Sequence, residues 1–146
     1  MTEFSSEVRE ILLASGWHPG RAVEAARWTA PLAAAGLAVH EAVRGFLAEF
    51  AGVAVDFSGP GVTCAREPFE IDPLLCAGEE DRFLGWSERL GRSLFPIGEL
   101  DHGRFLLGMD EQGEVYLVES WIATFGPMPA AMEKLILGYR PEELDV

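Results

Sequence analysis

Three histidines, two cysteines and several close carboxylate pairs are the side chains in this sequence that could do chemistry. His18, His40 and His102 stand far apart, and none sits in a metal-binding spacing such as His-Glu-x-x-His, which places two imidazoles on one helix face. Each is read as a structural or surface residue. Cys64 and Cys76 do not form a Cys-x-x-Cys pair. A nucleophile needs a base within hydrogen-bond reach. Cys64 with His102, or Cys76 with His18, would be the pairings, and nothing in the sequence brings either together. Two free cysteines more often serve as small buried hydrophobes. Without a secretion signal reduced thiols are the default, and whether these two pair is left open. Glu79-Glu80, Glu99 with Asp101, Asp110-Glu111 and Glu142-Glu143 are close carboxylates. General acid–base work needs one member of a pair desolvated, but these fall at turns and helix ends that water reaches. Gly59-Pro60-Gly61 lacks the Lys and hydroxyl residue of a phosphate loop and does not match the dinucleotide fingerprint. No catalytic residue, metal site or cofactor is expected.

The elements that would position these groups are organised around Pro96 to Glu119. Two apolar runs, Phe105 to Met109 and Val115 to Val118, flank Asp110-Glu111-Gln112-Gly113, a turn ending on a residue free to adopt positive φ. This predicts an antiparallel hairpin with Phe105, Leu107 and Met109 on one face and Leu106 and Gly108 on the other. Both faces are apolar, so the hairpin is expected to be central and covered on both sides.

Upstream, Ser5 or Ser6 caps a helix with Val8, Ile11 and Leu12 on one face, ended by Gly16. Trp17 follows in a turn sequence and is read as a core or rim anchor. Residues 21–28 predict a short helix, and Thr29, with Pro31 in the first turn, caps another ending at Gly36. From His40 to Phe50, Val43, Phe46, Leu47 and Phe50 recur at helical spacing, which predicts a core helix packed on the sheet. Val53 to Phe57 and Pro68 to Ile71 read as strands. Glu79 to Leu90 reads as a helix whose acidic start suits the helix dipole, and Leu94 to Ile97 leads into the hairpin. Beyond it, Trp121 to Phe125 predicts a short helical turn. Pro127 or Pro129 then opens a last helix carrying Met128, Met132, Leu135 and Ile136 inward, closed by Gly138. The tail from Arg140 to Val146 is acidic and expected to fray. The order of elements implies an α+β fold: one domain over residues 1–146, its core at about 5–138, with a central, mostly antiparallel sheet flanked by helices and an acidic tail at 139–146.

Charge narrows the function classes. The chain of 146 residues carries 24 acids against 11 bases, a net charge of -13. A broad basic face for nucleic acid is excluded, and an acidic membrane surface is disfavoured for the same reason. The natural match is a cationic partner. Ten of the acids and only three of the bases fall within residues 94–146, so an acidic binding face belongs there first. No unbroken apolar stretch has the length of a membrane span. The polar, acidic start lacks the basic and apolar runs of a secretory signal, which places the chain in the cytoplasm.

Several segments resemble one family. Gly16-Trp17-His18-Pro19-Gly20-Arg21, Phe46-Leu47-Ala48-Glu49-Phe50-Ala51-Gly52, Phe69-Glu70-Ile71-Asp72-Pro73, Pro96-Ile97-Gly98-Glu99, and Met109-Asp110-Glu111 with Gly113, Val115 and Tyr116 occur in order across roughly residues 8–138. They are similar to the SUKH superfamily of bacterial immunity proteins, specifically its third subfamily. The resemblance implies an α+β fold and a non-enzymatic role: binding and neutralising a toxin of a polymorphic toxin system, often a nuclease or nucleic-acid deaminase. It carries over no toxin-contact residues; the motif positions are fold positions. Ser120-Trp121-Ile122 departs from the family pattern.

Resemblance and charge meet in one expectation. Nuclease toxins are cationic because they engage phosphates, and an acidic inhibitor is steered to them quickly. The residues expected at the interface are Glu99, Asp101, Asp110, Glu111 and Glu114 around the hairpin ends. Glu79, Glu80 and Asp81 form a second patch, and Trp121 is an aromatic anchor. The alternatives are a scaffold or regulatory module with a cellular protein partner, and a small enzyme built on a cysteine–histidine or carboxylate pair. The oligomeric state is left open.

Overall fold

The computed structural model describes residues 3–146. Its centre is a seven-stranded antiparallel sheet in which spatial order follows chain order. The strands are β1 (Ala54–Val55), β2 (Phe69–Glu70), β3 (Phe95–Leu100), β4 (Phe105–Met109), β5 (Glu114–Val118), β6 (Ile122–Pro127) and β7 (Glu142–Glu143). Among the described residues five α-helices accompany them: α1 (Ser6–Ala14), α2 (Ala26–Ala34), α3 (Glu41–Phe50), α4 (Glu80–Leu90) and α5 (Ala130–Leu137). The α+β expectation holds.

The expected hairpin is β4–β5. Leu107 faces Leu117 and Met109 faces Val115 across it, and Gly113 takes the turn at φ 82°. Both faces are covered. A Cβ added at Gly108 would stand 3.0 Å from the Phe83 ring, so α4 lies on that face. On the other, Leu135 of α5 lines a groove together with Phe105 and Leu117.

Trp17 and Arg21 of the first motif, with His40, lock elements together. Trp17, 2% exposed, stacks on Phe50 with ring centroids 6.4 Å apart, while its Nε1 donates to Glu49 at 2.8 Å. The Arg21 guanidinium donates to the carbonyls of Glu49 and Ala51 at the end of α3, at 2.8 and 2.6 Å. These carbonyls have no later helical donors, so a guanidinium is a fitting cap. His40 opens α3: its Nδ1 accepts from the Val43 amide, which leaves Nε2–H to donate to Ser93 and Met109 carbonyls at 3.0 and 3.3 Å. That imidazole thus joins α3 to the end of β4 and has a structural role.

Four expectations need correction. Residues 21–34 hold one helix, α2, rather than two, with Thr29 buried inside it and Pro31 on its exposed side. There, water can reach the carbonyl that proline leaves without a donor. Trp121 to Phe125 is not a helical turn. Ile122–Pro127 is β6, paired along β5 through Leu117↔Ala123 and Val118↔Ile122. A short apolar run reads either way until a partner edge is present. The tail does not fray throughout: Glu142–Glu143 adds β7 to β6, the Leu144 amide donates to Ile122, and Arg89 donates to the Val146 carbonyl. Finally, β1 and β2 are each only two residues long, shorter than the runs 53–57 and 68–71 suggested.

Candidate partner-binding site

The expected interface carboxylates separate into two groups at opposite ends of the hairpin. β4 is a five-residue strand, so its ends lie roughly 15 Å apart.

At the β4–β5 turn, Asp110 is corrected from surface to core. It is 0% exposed. Its carboxylate accepts from the amides of Gln112 and Glu114 at 2.9 and 3.0 Å, and from the Tyr116 hydroxyl at 2.8 Å. The group is consumed in closing the turn, out of a partner's reach. Glu114 accepts from the Thr124 hydroxyl, and exposed Glu111 receives the Ser93 amide. Burial, then the bond to Asp110, pushes the Tyr116 hydroxyl pKa well above the usual tyrosine range.

The other end gathers what the sequence had as two separate patches. Arg82 of α4 bonds Glu119, between β5 and β6, at 3.0 Å and Glu79 at 3.1 Å. The Trp86 Nε1 also donates to the Glu119 carbonyl. The start of α4 is therefore held at the same end as the β3–β4 and β5–β6 turns. Cys76 reports the crowding. Burial pushes its thiol up to about 12, a hydrogen bond with the Gly98 backbone opposes this, and the negative charges of Glu99, Asp72 and Glu79 add to the rise. Asp81 is exposed, and Glu80 receives the Gly78 amide. Asp101 pairs with Arg104 at 3.5 Å. Glu99 also borders a hollow of about 190 Å³ with Asp56, Glu70 and His102.

Beside this end lies a larger groove of about 400 Å³. Phe105, Leu117 and Phe125 of the sheet form its floor with Leu135 of α5. Trp121, 36% exposed, stands edge-on to Phe105 with centroids 6.0 Å apart. Of the residues expected at the interface, Trp121 alone lines this groove; Lys134, Tyr139 and Arg140 were missed. Lys134 sits on a helix read for its apolar face, and Tyr139-Arg140 falls in a segment read as frayed.

Both cysteines are free. Among the described residues no set of three or more His, Cys, Asp or Glu could hold a metal ion, and no helix is long and apolar enough to cross a membrane.

A covered antiparallel sheet with clustered carboxylates beside an apolar groove has the anatomy of a protein that recognises another protein: an apolar centre with a polar rim. The profile of the SUKH-3 immunity protein family matches residues 4–138, and the chain belongs to that family. The resemblance of the sequence segments is thereby borne out, and membership supports an immunity function against a toxin. No curated protein and no solved structure matches the chain.

Proposed function

We propose that the protein neutralises a cationic nuclease or nucleic-acid deaminase toxin in the cytoplasm, by covering its phosphate-binding surface with the acidic end of the sheet. The observation that supports this is the gathering of Glu79, Asp81, Glu99 and Asp101 from separate segments at one end of a chain of net charge -13. Like charges held together raise the local potential and speed encounter with a basic surface. Immunity needs no chemistry here. Exclusion of substrate is enough.

The test uses the toxin domain encoded beside this gene. Association is measured by stopped flow across a salt series, with a charge-reversed variant, Asp81→Lys with Glu99→Lys. The expected result is an association rate that falls steeply with salt, and a variant slower by about tenfold or more at low salt. A rate indifferent to both salt and charge reversal would remove the acidic end from the mechanism. Absence of protection on co-expression would remove immunity to that toxin altogether.

A further inference from the structure

The groove carries an inference that rests on the immunity reading and deepens it. Four charged side chains line the groove: Glu67 and Glu143, Lys134 and Arg140. None of the four forms an ion pair or a side-chain hydrogen bond among the described residues, although both signs are present. Charged groups around an apolar hollow leave their electrostatic capacity unused until something with complementary charge arrives. Two aromatic residues, Trp121 and Tyr139, are more than a third exposed at its lip, and side chains of that type dominate binding energy when a partner covers them. The groove is also continuous with the acidic end. Phe105 on its floor is followed outward by Arg104, whose guanidinium lies 5.6 Å from the Phe105 ring centroid and pairs with Asp101. Trp121 is two residues from Glu119.

We propose that this groove seats one large apolar side chain of the toxin, on a surface segment whose flanking residues carry both signs of charge. The partner's basic flank meets Glu67 and Glu143, and its acidic flank meets Lys134 and Arg140. The acidic end then provides fast encounter and the groove provides slow release. A hollow of about 400 Å³ has room for an aromatic or large aliphatic side chain with its backbone at the mouth, within the range of small binding pockets.

The test exploits a peculiarity of the composition: Lys134 is the only lysine in the chain. Reductive dimethylation of its amine is followed by mass spectrometry, free and in complex with the toxin domain encoded beside this gene. A lysine-containing peptide added to both samples is the internal control. The expected result is labelling of Lys134 slowed by about tenfold or more in the complex, with the control unchanged. A second arm fills the groove with Ala65→Trp, at an exposed lining position. Thermal unfolding checks that the variant is folded; should it not fold, Trp121→Ala takes its place. Dissociation faster by about thirtyfold or more is expected, as for loss of a central anchor. If the wild type binds but Lys134 labels at the free rate and the filled groove releases normally, the groove is overturned while the acidic-end reading stands. If the wild type does not bind this toxin, the immunity reading fails, and the groove assignment with it.

Discussion

Asp110 closes the β4–β5 turn from within the core, and replacing it tests both that role and its burial. Replacing it with Ala removes three accepted hydrogen bonds at once. The Gln112 amide lies beside exposed backbone and the Glu114 amide is half-buried, so water can partly replace their acceptor, at a loss of about 1 kcal/mol each. The Tyr116 hydroxyl is buried and has no such recourse; stranding it costs about 1–3 kcal/mol. Asp110→Ala should therefore lower stability by about 3–5 kcal/mol, a large share of the ~5–15 kcal/mol typical of a domain. Tyr116→Phe should cost less, about 1–2 kcal/mol, because the carboxylate keeps both amides. Since the two groups are direct partners, the double variant should fall short of the sum by about 1 kcal/mol or more. Urea unfolding of the four proteins at neutral pH measures the cycle. Asp110→Asn keeps one carbonyl oxygen for the two amides, and it should bind the toxin with unchanged affinity. Additivity within about 0.5 kcal/mol, or a cost of Asp110→Ala below about 1 kcal/mol, would refute the turn-closing role. Weakened toxin binding by a folded Asp110→Asn would refute its removal from the interface.

Two further outcomes follow from the same packing. Cys76 and Tyr116 both have pKa values raised by folding, so each contributes stability that is complete below its unfolded value. That contribution is lost as pH rises from about 9 toward 12 for the thiol, and from about 10 upward for the phenol. Stability should be flat in this respect near neutrality and fall above pH 9, by up to about 1.4 kcal/mol per pH unit for each group. Urea unfolding at stepped pH, repeated on Cys76→Ala, should show a shallower fall between pH 9 and 10; an unchanged slope would deny the thiol its part. Gly98→Ala should prevent β2 from pairing with β3, because a Cβ there would stand 2.0 Å from the Glu70 carbonyl oxygen. Hydrogen exchange across residues 69–72 reports this, and retained protection with wild-type stability would contradict the close approach.

The sequence by itself determined the local elements whose signals are periodic or stereochemical. The β4–β5 hairpin, α3 with its buried Val43, Phe46, Leu47 and Phe50, and the acidic start of α4 were legible because apolar spacing and a positive-φ glycine act within a few residues. Composition also determined the sign of the charge that any partner must meet. What only the tertiary structure decided depends on contacts between distant segments. Trp121 to Phe125 carries no local preference strong enough to select strand over turn, and the β5 edge selects strand. The tail becomes β7 because β6 presents an unpaired edge to it. Asp110 and Asp101 look alike as turn carboxylates, yet the Tyr116 hydroxyl draws one into the interior while the other stays at the surface beside Arg104. The groove lies further still from the sequence. Its floor comes from the sheet, its wall from α5 and the tail, and its rim from residues 64–67. Such a surface exists only once packing brings those segments together, because binding depends on proximity in space, and local sequence rules carry no information about neighbours seventy residues away.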